Sequence, residues 1–252
     1  MYFSKKTHLL SYAIMASAVI RLAGSAAESL IRTLLNKTAS LLPDMLDAIM
    51  WKVQTVSSGI QIILIALVFY LSWKKMNKLK GLIAEEDRAE LGRLQEEALG
   101  EHLSSLSAND VGKLIKMWAI ILIGAEFVYF LSSVIYRRFT LELMLLVISS
   151  ARYESFTYIY NMSHGFKYLE MMTALLLGVI MTGIFLGDGR LKIVAAVIAA
   201  AFLLSFGLFQ MTSIDVSGKL VGIVWTSVIF HFTETVGLFV LAVYLAKHYR
   251  GL

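Results

Sequence analysis

Glu126 and the run His231-Phe232-Thr233-Glu234-Thr235 stand inside stretches otherwise composed for hydrocarbon. A charge at the centre of a bilayer costs several kcal/mol, about 2.5 on insertion scales and more in simulation. Such groups therefore face a bundle interior and pair with one another. On the apolar stretch from Leu220 to Ala246, Ser227, His231, Glu234 and Thr235 recur at three- and four-residue intervals. From Met117 to Tyr136, Glu126, Tyr129, Ser133 and Tyr136 do the same. That spacing sets each group on one helical face. Lipid offers no hydrogen-bond partner, so two matching polar stripes should turn toward each other.

The expected product is a buried cluster near mid-membrane, with Glu126 beside His231 or Glu234. Two carboxylates and an imidazole in a low dielectric titrate as a unit. The chemistry open to them is a proton relay, a cation site or a polar groove for a passing chain. The competing reading is interhelical glue, worth about 0.6 kcal/mol per hydrogen bond.

Other chemistries lack their parts. The chain has no cysteine, which removes disulfides, thiolate catalysis and cysteine-ligated metals. His231 and Glu234 alone fall short of the three or four ligands a zinc ion needs. The remaining histidines, His8, His102, His164 and His248, sit near ends or in loops. No Gly-x-Ser-x-Gly elbow accompanies a histidine at matching depth. The sequence thus offers no catalytic residue, no metal site and no cofactor-binding motif.

The elements that must position the cluster follow from composition. Of 252 residues, 58% are hydrophobic and 16% charged, and mean hydropathy is +0.72. A soluble domain carries about 25% charged residues. The expected fold is all-α: a polytopic helical membrane bundle of five to six transmembrane helices, with an external amphipathic helix and a cytoplasmic helical hairpin. The single proline, Pro43, argues against broken half-helices of the transporter kind. The net charge of +5 comes from cations at helix ends rather than from a basic face with aromatics, which argues against nucleic-acid binding.

Residues 1–25 form a signal-like or first transmembrane segment. Lys5-Lys6, the apolar run Leu9–Ile20 and the small residues Ala23–Ala27 fit a cleaved signal and a retained helix alike, with Arg21 interrupting the transition. Residues 26–56 are amphipathic, suited to lying at the outer interface or packing over the bundle. Residues 57–73 are a span ended by Trp73-Lys74-Lys75, with Ser57 and Gln61 on one side. Residues 74–116 read as a charged cytoplasmic hairpin, stopping near Gly100, with a short second helix hinted at by Leu103 and Leu106. Its charges suit a solvated face or a docking surface for a protein partner. Asn109 is the expected N-cap of the next helix, with Asp110 in its first turn.

Residues 117–252 form the membrane bundle, with an interfacial or re-entrant segment over 139–167 rich in aromatics. Spans over 168–186, 191–210 and 220–246 follow. The first two join as an antiparallel pair through Gly187-Asp188-Gly189-Arg190, and Gly178 and the alanines of 195–201 favour close packing. Lys and Arg number fourteen on one set of connections and eight on the other. By the positive-inside rule, both termini and residues 74–116 then lie on the cytoplasmic side of a cell (inner) membrane.

The order of an external amphipathic segment, a span, a charged hairpin and further spans resembles the YidC-type membrane-protein insertases. The stretch from Asn109 to Gly124 and the last helix pair are similar in outline. The resemblance implies a groove arginine in the 57–73 span, where Tyr70 stands at about that place, and helix prolines that this chain lacks. Three functions remain in view: a subunit of a transport or translocation machine using the polar cluster as a path or proton/cation site, an insertase, and an intramembrane enzyme.

Overall fold

The computed structural model describes residues 8–38, 43–97, 104–150, 153–214, 220–250 and 252. Six helices dominate them: α1 (Leu9–Thr38), α2 (Pro43–Glu97), α3 (Ala108–Ser150), α4 (Tyr153–Leu186), α5 (Leu191–Ile214) and α6 (Leu220–His248). Two two-residue strands, β1 (Ser104–Ser105) and β2 (Tyr249–Arg250), pair in parallel. Four helical stretches are long and apolar enough to cross a bilayer: 9–35, 48–78, 109–131 and 228–248. Shorter apolar stretches cover Met171–Leu186 and Leu191–Ser205.

Helix α1 is one continuous helix across both segments that the sequence separates at residue 25. Its heaviest packing is against α6 and then α2. Helix α2 opens on Pro43, where a missing N–H costs nothing because the first-turn donors have no intrahelical partner. It runs without a break from the amphipathic 43–56 segment through the span and on to Glu97. Among the described residues, no short helix precedes α3 around Leu106. Ser104-Ser105 are extended and pair with Tyr249-Arg250, and Leu106 packs on the core. Gly100 and Leu103 lie outside the described residues.

The N-cap of α3 is Ser107 rather than Asn109. The Ser107 hydroxyl accepts the Asp110 N–H at 3.2 Å and donates to the Asp110 carboxylate at 2.5 Å. This reciprocal pairing satisfies an orphan donor of the first turn. Over 139–167, expected as an interfacial or re-entrant segment, the described backbone is helical: α3 continues to Ser150 and α4 starts at Tyr153.

Helix α4 ends in a Schellman motif. Gly187 takes φ +66°, the Asp188 N–H reaches Gly183 O at 3.0 Å, and the Gly187 N–H reaches Ile184 O at 3.3 Å. Asp188 then caps the entry to α5 by accepting the Arg190 N–H at 2.9 Å. Its other oxygen accepts the hydroxyls of Tyr244 at 2.6 Å and Tyr249 at 2.7 Å. The Ser11 N–H donates to Leu252 O at 2.8 Å. One end of the bundle thus gathers the start of α1, the α2–α3 connection, the α4–α5 turn and the residues after α6.

Polarity is inverted relative to a water-soluble bundle. Ile63, Ile120, Ile184 and Leu204 are each between 68% and 75% exposed, while Arg21, Glu126, His231 and Glu234 are buried.

Candidate functional site

Arg21 sits halfway along α1, on a stripe with Ser17, Ser25 and Ser29 at four-residue spacing, all buried. A guanidinium placed there needs anions, and two helices supply them. Nε of Arg21 donates to Glu126 Oε2 of α3 at 3.1 Å. Nη1 donates to Glu234 Oε1 of α6 in a short contact. One side chain from α1 thereby ties two carboxylates from helices distant in sequence. The exposures of 1% for Arg21, 1% for Glu126 and 2% for Glu234 put the trio where screening by water is weak.

His231, one turn from Glu234, places Nδ1 3.4 Å from Glu234 Oε2. The distance suits an ion pair, but the contact does not make a hydrogen bond, and Nδ1 has no hydrogen-bond partner. Tyr129 lies edge-on to the imidazole, with ring centroids 6.1 Å apart and planes at 74°. Thr235 donates its hydroxyl to His231 O at 2.7 Å and approaches Ala18 O at 3.3 Å, lacing α6 to α1. Nη2 of Arg21 is buried with no protein acceptor.

Of the residues expected at the site, Glu126, Tyr129, His231, Glu234 and Thr235 are brought into one neighbourhood. The side chains of Ser133 and Ser227 lie outside those described. Glu126 and Glu234 meet through Arg21, and the imidazole lies against Glu234. Arg21 is the residue that sequence reasoning passed over, treating it as a break in a signal-like segment. The signal was present: a lone cation in an apolar run needs a counter-ion, and serines at i−4, i+4 and i+8 mark its face as inward.

Charge counting decides what the arrangement can do. One guanidinium between two ionised carboxylates leaves one negative charge in excess. An uncompensated charge is costly in a low dielectric. Both carboxylates are engaged by Arg21, and among the described residues no three His, Asp or Glu side chains are grouped to hold a metal ion.

A second polar contact set lies beside the cluster. Gln61 of α2 is buried over Gly24 of α1, where a Cβ would come within 2.3 Å of its amide nitrogen. That nitrogen donates to Ser57 Oγ at 3.0 Å. Ser58 is buried, and its hydroxyl has no protein partner.

Neither a scan against protein-family models nor searches of curated proteins and of solved structures returns a match for this chain.

Proposed function

We propose that this chain is an integral membrane component of a transport or translocation machine, one subunit of a larger complex, in which the Arg21–Glu126–Glu234–His231 cluster binds and releases one proton. The observation carrying this reading is the pairing of one buried arginine with two buried carboxylates beside an imidazole. A purely mechanical cross-link needs only one anion per cation. The surplus carboxylate and the adjacent histidine are what a proton acceptor requires.

In this reading all six helices cross a cell (inner) membrane, and the apolar residues exposed on the bundle surface contact acyl chains. A soluble monomer rarely exposes so large an apolar patch. The end carrying the α2–α3 connection, Arg190, Lys192 and Lys247 faces the cytoplasm, consistent with its excess of cations. The polar extension of α2 toward Glu97 docks a protein partner there. The insertase alternative calls for polar side chains along a groove open to lipid, and the enclosed position of Arg21 does not favour it.

Affinity purification of the full chain in mild detergent tests the reading. The expected result is a stoichiometric set of co-purifying membrane proteins whose proton-dependent turnover falls in Glu126→Gln and Glu234→Gln while assembly is retained. Recovery of a lone, stable monomer contradicts the subunit reading. Unchanged turnover in both variants contradicts the proton role.

A further inference from the structure

The surroundings of the cluster differ sharply between its two ends. Contacts set the register of the helices. Thr235 meets Ala18 and Ser11 donates to Ala242 O at 2.9 Å, so α6 runs antiparallel to α1. Gly24 lies under Gln61, and Gly112 under Met76, which orders α1, α2 and α3 in the same way. Arg21 can therefore be followed in both directions.

Toward the α2–α3 end, the neighbours are Leu10, Ile14, Trp118, Leu122, Leu238 and Leu241, each at most 1% exposed. On this side of α1, Ser11 donates to Ala242 O and Ser17 to Ala13 O. Toward the α1–α2 connection, Ser25 and Ser29 continue the Arg21 stripe, and half-buried Glu28 lies seven residues from Arg21 on the same face. Gln61 faces them from α2, and Ser58, three residues earlier, lies one turn farther out.

Among the described residues, three of the four buried side-chain polar atoms without a hydrogen-bond partner belong to this neighbourhood: Arg21 Nη2, His231 Nδ1 and Ser58 Oγ. A bare buried polar group costs about 1–3 kcal/mol. Internal water relieves that cost where several polar groups converge.

We infer that water reaches the cluster from one side only, along a track formed by Ser25, Ser29, Ser58 and Gln61, with Glu28 near its outer end, and that the apolar layer between Leu10 and Leu241 seals the other side. The inference rests on the proton-binding reading and gives it a direction: protons enter and leave through the end carrying the α1–α2 connection. Among the described residues, the charged and titratable groups facing the track are Arg21 and Glu28 of α1, Glu126 and Tyr129 of α3, and His231 and Glu234 of α6. The described α2 residues facing it are neutral.

Because the chain has no cysteine, single thiols map water directly. Silver ion, comparable in size to a water molecule and reactive with thiols in water, is applied to either side of sealed vesicles holding the full-length protein. Unreacted thiols are then labelled with maleimide after denaturation. Lys52→Cys and Lys78→Cys, exposed near opposite ends of the apolar 48–78 stretch of α2, report which side was treated. Silver from the Lys52 side should abolish maleimide labelling of Ser25→Cys and Ser58→Cys. Silver from the Lys78 side should leave it intact, and Ile14→Cys and Leu241→Cys should stay labelled under both treatments. Protection from neither side, blocking from the Lys78 side, or reaction of the apolar-layer thiols overturns the inference. The readout follows water rather than protonation, so a one-sided pattern stands even if the carboxyls prove inert, and an inert cluster is seen separately by the carboxyl titration.

Discussion

At the scale of single residues, Arg21 is the keystone of the cluster. Removing one partner of a buried ion pair leaves uncompensated charge and costs about 3–5 kcal/mol, whereas replacing all partners by neutral groups of similar volume is nearly neutral. Arg21→Met should therefore lower thermal stability in detergent strongly. The triple variant Arg21→Met, Glu126→Gln, Glu234→Gln should recover most of the loss. Melting of Arg21→Met at the parent temperature would remove the cluster from the account of stability. Glu126, His231 and Glu234 were legible in the sequence because each breaks an apolar pattern at a depth where lipid gives no partner. Arg21 breaks such a pattern as well, but its flanks also match a targeting segment, and that coincidence hid it. Which carboxylate Arg21 would meet was beyond periodicity, since a face carries no information about the helix opposite.

Between elements, two glycines set how closely helices approach, and they differ in tolerance. A Cβ on Gly178 of α4 would fall 2.5 Å from the Trp118 ring of α3, a side chain fully buried and held by a 2.9 Å hydrogen bond from its Nε1 to Thr182 Oγ1. A Cβ on Gly24 would meet only the amide end of Gln61, which can swing aside. Overpacking a rigid site costs about 1–3 kcal/mol. Gly178→Ala should thus destabilise measurably by thermal unfolding and Gly24→Ala less, and the reverse order would contradict the rigidity assigned to Trp118. The small residues were readable as packing devices, but the aromatic filling each notch was not. Helix starts were less legible than helix bodies. Ser107 outcompetes Asn109 as a cap because its hydroxyl both accepts and donates within one turn, a choice that depends on where the preceding backbone leaves the β1–β2 pair.

For the whole molecule, the end that gathers the α4–α5 turn and the residues after α6 is held by Asp188. Burial alone would raise its carboxyl, but the Tyr244 and Tyr249 hydroxyls, with the Arg190 N–H and charge, outweigh burial and hold it below the usual carboxylate range. Burial first, then the hydrogen bond and charge of Asp188, push Tyr249 upward. A carboxyl depressed in the folded state contributes stability above its unfolded value, about 3.9, and loses it as pH falls through the folded one. A tyrosine raised in the folded state contributes below its unfolded value, about 10, and loses that contribution as pH rises. Thermal stability should therefore drop in acid more steeply for the parent than for Asp188→Asn, and identical profiles would remove the latch. The helical, apolar character could be read from composition and period. The joining of distant segments by β1, β2 and Asp188 could not, because it rests on single hydrogen bonds between residues far apart in the chain. The central claim is that the buried cluster exchanges one proton, and infrared difference spectroscopy of the full chain in lipid nanodiscs across a pH step tests it most directly. A carboxylic-acid or imidazolium signal should change with pH in the parent and vanish in both Glu126→Gln and Glu234→Gln, since either change leaves the remaining carboxylate and Arg21 in balance. Absence of any pH-dependent signal from Glu126, Glu234 and His231 over the range in which the fold survives would contradict it.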